Sequence, residues 1–281
     1  MNNILETKNL HFSYPDGLPV LRGIELSIKK GEFLGILGAN GSGKTTLLKI
    51  LNGLLKTVKG EIYLEGKNIR SINKDALFRK VCTCFQNPDD QLFASTVGED
   101  IAYGPTNMGL KKEEVYKRIG YALGAVSMLE FAAKPIHNLS FGEKKRICLA
   151  GVLAMGSEVM LLDEPTSCLD PMGVSAIMRL LRKLNKENGI TMLMATHSVD
   201  LVPLFIDRAV ILNKGRIMLE GKPKDIFSHA EVIRGAKLRL PRIGHLFEIL
   251  RKKDGFNFDG LPLTIGEARE AIKNLGVDQS T

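Results

Sequence analysis

The sequence predicts an α/β fold with a mainly parallel sheet, a β-rich subdomain, a helical insertion and a small C-terminal appendage. Three observations lead to this prediction. Short apolar runs, typical of buried strands, alternate with helical patterns along most of the chain. A glycine-rich loop at residues 38–46 joins one such run directly to a helix. Residues 97–155 have a mainly helical pattern that interrupts the alternation, as an insertion into an α/β core would.

The glycine-rich loop fits G-x-x-x-x-G-K-[ST], the pattern of a phosphate-binding P-loop. A strand predicted at residues 33–37 precedes it and a helix at 47–51 follows, which disfavours the alternative of a glycine turn before an ordinary helix. Glycines let successive N–H groups face one anion, and the helix N-terminus adds partial positive charge. Lys44 is expected to reach the terminal phosphates, and Thr45 to offer its hydroxyl to Mg²⁺. The nucleotide-binding residues predicted in the loop are Gly38, Asn40, Gly41, Ser42, Gly43, Lys44, Thr45 and Thr46.

Strand and helix patterns divide the rest of the chain into successive parts. The β-rich part has predicted strands at residues 4–12, 20–28, 33–37, 61–64 and 81–85. The helical insertion occupies about residues 87–156, and its last helix is predicted over 141–154. The α/β pattern then resumes, with strands predicted at 159–162, 191–195, 208–212 and 217–219 and a helix at 172–187. We predict one domain over residues 1–235 and an appendage over 236–281, with short helices at 241–251 and 264–275.

Composition and charge limit the classes of function. With 281 residues, 44% of them hydrophobic, the chain suits one large or two modest globular domains. Neither a signal sequence nor a run approaching ~18 consecutive apolar residues is present in the sequence. The four cysteines lack zinc-ligand spacings, so reduced thiols in a cytosol are expected. The net charge of +8 is compatible with nucleic acid, anionic lipid or a solvated surface, and its scatter favours the last.

A pair of acids follows the apolar run at residues 159–162. Acids at the end of a buried strand in such a sheet lie at the edge where ligands bind. Asp163 is therefore expected to hold Mg²⁺, directly or through water, and Glu164 to polarise a water molecule in line with a γ-phosphate. Solvated acids in a strand-terminal turn are the alternative, which a preceding P-loop makes less favoured.

Another motif, Leu139-Ser140-Phe141-Gly142-Glu143, begins the helix predicted over 141–154. From the residues alone it is either a helix N-cap or an anion site formed by Ser140 and free N–H groups. Together with the P-loop and the acids, it resembles the signature of the ATP-binding cassette family, commonly L-S-G-G-Q. The resemblance implies that Ser140, Gly142 and Glu143 serve the nucleotide of a partner subunit in a head-to-tail dimer. That partner would be a second copy or a closely related chain.

Three further residues match family motifs, which occur in the family's order over about residues 4–228. Tyr14 stands where the family has an aromatic residue that stacks on adenine. Gln86 matches the glutamine that senses Mg²⁺ and the membrane partner, and His197 matches the histidine that contacts the γ-phosphate. Without the resemblance, these would be interpreted as a turn residue, a solvated loop residue and a structural histidine.

The resemblance also implies the chemistry, with ATP and Mg²⁺ as the bound groups. The implied catalytic residues are Glu164, His197 and Lys44. The implied magnesium ligands are Thr45, Gln86 and Asp163. Ser167-Cys168-Leu169-Asp170 matches the loop that crosses the dimer interface in the family.

Further stretches narrow the resemblance within the family. Phe141 and residues 86–93 look like the ATPases of energy-coupling-factor importers, and residues 240–245 and 263–268 are similar to cobalt-importer ATPases. The resemblance implies a peripheral subunit on the cytoplasmic face of the cell membrane that couples ATP hydrolysis to uptake of a transition-metal ion, with cobalt expected and nickel or a vitamin left open. The contacts expected with integral-membrane subunits are Asp89, Asp90, Gln91 and Phe93. Capping of the following helix is the alternative role for these residues.

Two departures from the family signature accompany the resemblance. Phe141 replaces its first glycine and Glu143 its glutamine, whereas Ser140 and Gly142 remain, so function is expected to persist. The effect on turnover is left open. Two other classes stay as alternatives: a soluble cassette ATPase acting on DNA or ribosomes, and a P-loop kinase or nucleotide sensor. The chain lacks the coiled coils, zinc modules or second cassette usual in the former, so no nucleic-acid partner is expected.

Overall fold

Two β-sheets form the framework of the computed structural model, which describes residues 3–15, 17–57 and 59–275. The strands are β1 (Asn3–Ser13), β2 (Pro19–Lys29), β3 (Phe33–Leu37), β4 (Lys59–Leu64), β5 (Lys67–Asn68), β6 (Val81–Cys84), β7 (Val159–Asp163), β8 (Thr191–Thr196), β9 (Arg208–Asn213) and β10 (Arg216–Gly221). The α-helices are α1 (Lys44–Leu51), α2 (Lys74–Lys80), α3 (Val97–Asn107), α4 (Lys112–Ala125), α5 (Phe141–Ala154), α6 (Pro171–Asn188), α7 (Val202–Phe205), α8 (Pro223–Ser228), α9 (Ala230–Gly235), α10 (Arg242–Lys253) and α11 (Ile265–Lys273).

The larger sheet has the strand order β10-β9-β3-β8-β7-β6. All of its neighbouring strands are parallel except β9 and β10, which form an antiparallel hairpin. The smaller sheet, β2-β1-β4-β5, is antiparallel. The prediction of a mainly parallel sheet with a β-rich subdomain is therefore confirmed.

The central strands are mostly apolar and buried because both faces of the large sheet are covered. In β3, Phe33 and Leu37 pack into the core on the side of the helical insertion. The alternate residues Leu34 and Ile36 pack into the other core, together with α1 and the smaller sheet. Successive side chains point to opposite faces of a strand, so a strand between two cores reads as one apolar run.

The helical insertion contains α3, α4 and α5, which pack against one another. The prediction of a helix over residues 141–154 coincides with α5. The patterns missed α2 and β5, which are short. Along the described ranges, no helix combines the length and apolar character needed to cross a bilayer.

The C-terminal residues form a small cluster of their own around Phe247, Phe258 and Ala268. Leu240, beyond the predicted boundary at 235, still packs into the main core, and the division of the chain into two domains stays a prediction. Asp200, in the short 3-10 turn that follows β8, attaches the appendage to the main domain: its carboxylate accepts a hydrogen bond at 2.7 Å from the backbone N–H that begins α10.

The order of the parallel strands decides where the predicted functional residues meet. Strands β3, β8, β7 and β6 are neighbours and run in the same direction, so their C-terminal ends lie at one edge of the sheet. The P-loop, His197, the acid pair and Gln86 directly follow these four strands. Ligands bind at this edge in open α/β sheets.

Candidate active site

The P-loop leaves the N-terminus of α1 free to bind an anion. Gly43, its N-cap, has φ +106°, in the left-handed region that favours glycine. A Cβ atom on Gly38 would lie 2.5 Å from the carbonyl oxygen of Leu212, so a larger residue would displace the main chain. Gly43 offers no side chain to the first N–H groups of α1, and the first turn contains no acid. These N–H groups are therefore available to a phosphate.

Lys44 lies at the floor of the site and is buried. Its Nζ atom donates hydrogen bonds to the carbonyl oxygens of Gly38 at 2.8 Å and Ala39 at 3.3 Å. The same atom is 3.7 Å from Glu164 Oε1. Burial lowers the pKa of Lys44, and the nearby carboxylates of Glu164 and Asp163 oppose that effect. The site thus holds a buried positive charge beside the helix N-terminus, where both would attract phosphate oxygens.

The carboxylate of Glu164, directly after β7, is fixed from several sides. The residue has φ +46°, an uncommon conformation for a non-glycine residue, and its backbone N–H donates to Ala195 O at 2.9 Å. Thr196 Oγ1 donates to Oε2 at 3.1 Å, and His197 Nδ1 lies 2.9 Å from Oε1. A carboxylate held in this way can orient a water molecule. The structure therefore brings Glu164, His197 and Lys44 into one network.

Asp163, the last residue of β7, has a buried oxygen, Oδ1, that lacks a hydrogen-bond partner among the described residues. Burial raises the pKa of Asp163, and a hydrogen bond from the Thr45 side chain acts in the opposite direction. Unpartnered buried polar atoms are rare in folded proteins and often indicate a bound ion or water. Carboxylate, hydroxyl and amide oxygens are ligands that suit Mg²⁺, so Asp163, Thr45 and Gln86 fit such an ion.

These residues line one cavity of about 370 Å³ at the edge of the large sheet. The predicted site residues in its lining are Tyr14, Asn40, Gly41, Gly43, Lys44, Thr45, Thr46, Gln86, Asp163, Glu164 and His197. Tyr14 lies at the surface, partly exposed, with its hydroxyl 3.2 Å from Thr46 Oγ1. Gly38 and Ser42 are buried within the P-loop and do not line the cavity.

The signature residues lie outside this cavity. Ser140 N-caps α5 in a capping box, in which Glu143 N donates to Ser140 Oγ at 3.3 Å and Ser140 N donates to Glu143 Oε2 at 2.7 Å. The hydrogen bond from the Ser140 backbone lowers the pKa of Glu143. The helix-cap interpretation of this motif is thus correct for the local structure. The cap uses the side chains of Ser140 and Glu143, and Ser140 is exposed to solvent.

Gln86 connects the cavity to a neighbouring groove of about 740 Å³. Thr45 and Asp163 also line both spaces, and Phe141 lines the groove from the start of α5. The groove therefore runs from the predicted magnesium ligands to the signature helix.

The residues predicted to contact a membrane partner differ in their availability. Asp89 and Asp90 are exposed, and Asp89 Oδ1 pairs with Lys144 Nζ at 2.6 Å. Asn87, not these acids, caps the short 3-10 turn that follows it. The Gln91 amide is used inside the protein, where it bonds to main-chain atoms beside β6 and within α5. The Gln91 side chain is thus less available to a membrane partner than the carboxylates of Asp89 and Asp90 are.

Phe93 is the apolar residue among the four predicted membrane-partner contacts, and 65% of its surface is exposed. It packs edge-on against Tyr103 of α3, which is also exposed, with 4.7 Å between ring centroids. These two rings form an exposed aromatic pair, which is suited to an apolar docking partner.

Sequence reasoning missed Thr196 and Lys145 as members of the site. Thr196 is fully buried and bonds to Glu164, although its position directly before His197 was a signal. Lys145 is also buried and donates to main-chain oxygens of the site. Its signal was its spacing: it stands four residues after Phe141 and three before Cys148, on the buried side of α5.

The family model described as "ABC transporter" matches residues 21–167. A second model, described as an AAA domain, putative AbiEii toxin of a type IV TA system, matches residues 133–202. A putative ABC transporter ATP-binding protein of Geobacter sulfurreducens is 53% identical over 264 residues, covering 94% of this chain and 95% of that protein. An energy-coupling factor transporter ATP-binding protein of Methanocaldococcus jannaschii is 53% identical over 273 residues, covering 96% and 97%.

Solved structures of ABC ATP-binding proteins are also similar to this chain. The structure of cbiO1 from Clostridium perfringens, described as part of the ABC transporter complex cbiONQ, superposes with a TM-score of 0.77 at 46% identity. The match covers 89% of this chain and all of that one. A dimeric ATP-binding cassette in a post-hydrolysis state, bound to ADP and Pi, superposes with a TM-score of 0.70 at 30% identity. That match covers 78% of this chain and 98% of the other.

Proposed function

Because this chain belongs to the ABC transporter family and is an ATPase of the energy-coupling-factor type, we propose that it powers the uptake of a transition-metal ion, cobalt. The resemblance of residues 240–245 and 263–268 to cobalt-importer ATPases supports cobalt as the cargo. The similarity to cbiO1, part of the ABC transporter complex cbiONQ, supports work within a transporter assembly. The observation that supports ATP hydrolysis most directly is the arrangement of Lys44, Asp163 and Glu164 around one cavity. Phosphoryl transfer to water requires a cation for the phosphates, a metal ligand and a carboxylate for the water, and these residues offer all three.

We propose that ATP occupies the cavity with its phosphates on the P-loop and its adenine beside Tyr14. Lys44 and the free N–H groups of α1 would neutralise the phosphate oxygens. Thr45, Gln86 and Asp163 would hold Mg²⁺, which when bound offsets the charge of the phosphates. The unpartnered Asp163 Oδ1 supports this assignment.

Glu164 is proposed to orient the attacking water and to accept its proton. Thr196 and His197 hold the two carboxylate oxygens, so Glu164 presents one fixed geometry to that water. His197 and Lys44 would then stabilise the charge that develops on the γ-phosphate.

We propose that two like chains, either identical or closely related, enclose two ATP molecules. Ser140, Gly142 and Glu143 would contact the nucleotide held by the partner, which agrees with their position outside the cavity of their own chain. Free N–H groups at the start of α5 are suited to that contact. The similarity to a dimeric cassette supports the arrangement.

We propose that integral-membrane subunits dock at the groove beside Gln86, on the cytoplasmic face of the membrane. Asp90 lines the groove, and the exposed Asp89 and Phe93–Tyr103 ring pair offer further acidic and aromatic contacts to such a partner. Gln86 lines both the groove and the nucleotide cavity. A movement of the docked partner would therefore displace Gln86 and change the geometry of the proposed magnesium ligands.

The cargo is tested with the membrane subunits that co-purify with this chain, reconstituted into liposomes. ATP-dependent accumulation of cobalt is expected, and accumulation of nickel or a vitamin in its place would overturn cobalt. Failure to capture any membrane protein would contradict the importer role.

The catalytic assignment is tested by Glu164→Gln. This variant should keep ATP binding, lose turnover and accumulate as a closed dimer in Mg-ATP, measured by light scattering. Glu158→Gln is the matched control, because Glu158 immediately precedes β7 and pairs with Lys30 and Lys80 on the surface. Normal turnover in Glu164→Gln would refute the proposed role of Glu164.

A further inference from the structure

Lys145 is a buried cation that the mechanism above does not use. It lies on the inner side of α5 with 5% of its surface exposed. Lysine is almost never fully buried without a specific partner, because removing an ammonium group from water is costly. Its environment therefore needs a functional explanation.

The Lys145 ammonium binds three segments of the active site at once. Its Nζ atom donates to the carbonyl oxygen of Gln86 at 2.9 Å, to that of Glu164 at 3.1 Å and to Ser167 Oγ at 3.1 Å. An ammonium group has three N–H donors, and these acceptors match that number. The Nζ atom also lies 5.4 Å from the centroid of the Phe141 ring, at the start of the same helix.

All of these acceptors are neutral. Within the described residues, no carboxylate oxygen lies within 4.0 Å of Lys145, and burial accordingly lowers the pKa of its ammonium group. Ordinary buried lysines are stabilised by an ion pair, which is missing from this arrangement. The hydrogen bonds to main chain and hydroxyl are what keep Lys145 in place.

The main effect of these hydrogen bonds is to hold the main chain of Glu164 in its conformation. Glu164 has φ +46°, and such a conformation in a non-glycine residue persists only when its surroundings enforce it. Its carbonyl oxygen accepts hydrogen bonds from Ser167 N at 3.0 Å, Ser167 Oγ at 2.9 Å and Lys145 Nζ at 3.1 Å. Lys145 is the charged donor of this set, and it alone extends the network to Gln86 and α5.

We propose that Lys145 is a positioning residue, which holds the strained main chain of Glu164 in a fixed relation to the Gln86 loop and thereby aims the catalytic carboxylate. It acts through hydrogen bonds and does not touch the nucleotide cavity. The inference rests on the proposed catalytic role of Glu164.

The test compares Lys145→Met and Lys145→Gln with the wild-type chain. Met keeps the length and apolar volume of the side chain but has no donors, and Gln restores neutral donors. We expect kcat of Lys145→Met to fall at least about tenfold while KM for ATP stays within about threefold, because ground-state binding is not involved. Lys145→Met should also lower Tm, because buried acceptors such as the Gln86 carbonyl oxygen lose their donor, so the split between kcat and KM, and not Tm, reports on positioning. Lys145→Gln should recover part of kcat.

Lys183→Met is the matched control, since Lys183 is an exposed helical lysine in α6. It should keep wild-type kcat and KM. If Lys145→Met fails to fold, Lys145→Gln decides the question: its kcat should still be at least about threefold below that of the wild type with KM for ATP little changed, and a wild-type kcat would overturn the inference.

A background of Glu164→Gln separates positioning from a general structural role. If Lys145 acts through Glu164, adding Lys145→Met to Glu164→Gln should lower the residual turnover by less than about twofold. A kcat within twofold of wild type in Lys145→Met, or equal losses in both backgrounds, would overturn the inference. Normal turnover in Glu164→Gln alone would instead overturn the proposed function on which it rests.

Discussion

Replacing Thr196 with valine tests how the Glu164 carboxylate is held. Thr196 is fully buried at the end of β8, where its hydroxyl donates to Glu164 Oε2 at 3.1 Å and accepts from Ser198 N at 3.0 Å. Valine has nearly the same shape, so the substitution leaves no cavity and removes only these hydrogen bonds. The result therefore reports on the hydroxyl alone.

The magnitude follows from the partners of that hydroxyl. A hydrogen bond to a charged group contributes about 1.5–3 kcal/mol to stability, and a neutral one about 1 kcal/mol. We expect Thr196→Val to lower the free energy of unfolding by about 2.5–4 kcal/mol, which corresponds to a fall in Tm of about 5–16 °C for a chain of this size. Glu164 keeps its contacts with His197 and Lys44 but becomes freer to rotate. We expect kcat to fall by about tenfold, equivalent to about 1.4 kcal/mol of transition-state stabilisation.

Thr191→Val is the matched control, because Thr191 is equally buried at the opposite end of β8. Its hydroxyl accepts a hydrogen bond from the backbone N–H of Gly31 at 2.9 Å, a neutral partner far from the acid pair. This variant should lose only about 1 kcal/mol and keep its kcat. Circular dichroism melts and steady-state ATPase assays measure both quantities. Equal stability of the two variants, together with an unchanged kcat in Thr196→Val, would refute the reasoning.

Three further predictions concern the steric fit of Gly38, the ion pair of Glu248 with Arg234, and the contact that attaches α10 to Asp200. Gly38→Ala should weaken ATP binding at least about tenfold, measured by calorimetry, because its Cβ would lie 2.5 Å from the Leu212 carbonyl oxygen. The hydrogen bond from Arg234 lowers the pKa of Glu248 to about 2, so the ion pair stabilises the fold at neutral pH and is lost as pH falls from about 4.3 towards that value. Glu248→Gln should therefore lower Tm at pH 7, and the difference from wild type should shrink below about pH 4. Asp200→Ala should increase hydrogen exchange at the start of α10, because it removes the carboxylate that binds the first N–H of that helix.

Each of these predictions has an outcome that would contradict it. Gly151→Ala is the steric control, because a Cβ there meets open space, and equal ATP affinity in it and Gly38→Ala would refute the clash. A Tm difference for Glu248→Gln that stays constant as the pH falls from about 4 to about 2 would show that Arg234 does not depress its pKa. Unchanged exchange in α10 of Asp200→Ala would show that other contacts hold the appendage.

Most of the candidate nucleotide site could be predicted from the sequence because its residues lie at or next to strand ends. The P-loop combines β3, a glycine turn and α1 in one continuous stretch, and its chemistry depends mainly on local backbone geometry. Asp163 and Glu164 follow an apolar run, which identifies the end of a buried strand. The membrane contacts and the cargo depended on the resemblance to a family, and they stay proposals.

By itself, the sequence determined the fold class, the P-loop and the identity of the acids, because short-range patterns decide strands, turns and helix starts. Only the tertiary structure decided which strands are neighbours, and hence that residues far apart in the chain, such as Lys44, Glu164 and His197, meet in one network. It also decided the hydrogen-bond partners of Lys145, which lie on segments 59, 19 and 22 residues away. Burial and hydrogen-bond partners are properties of the packed chain, and no local pattern can specify them.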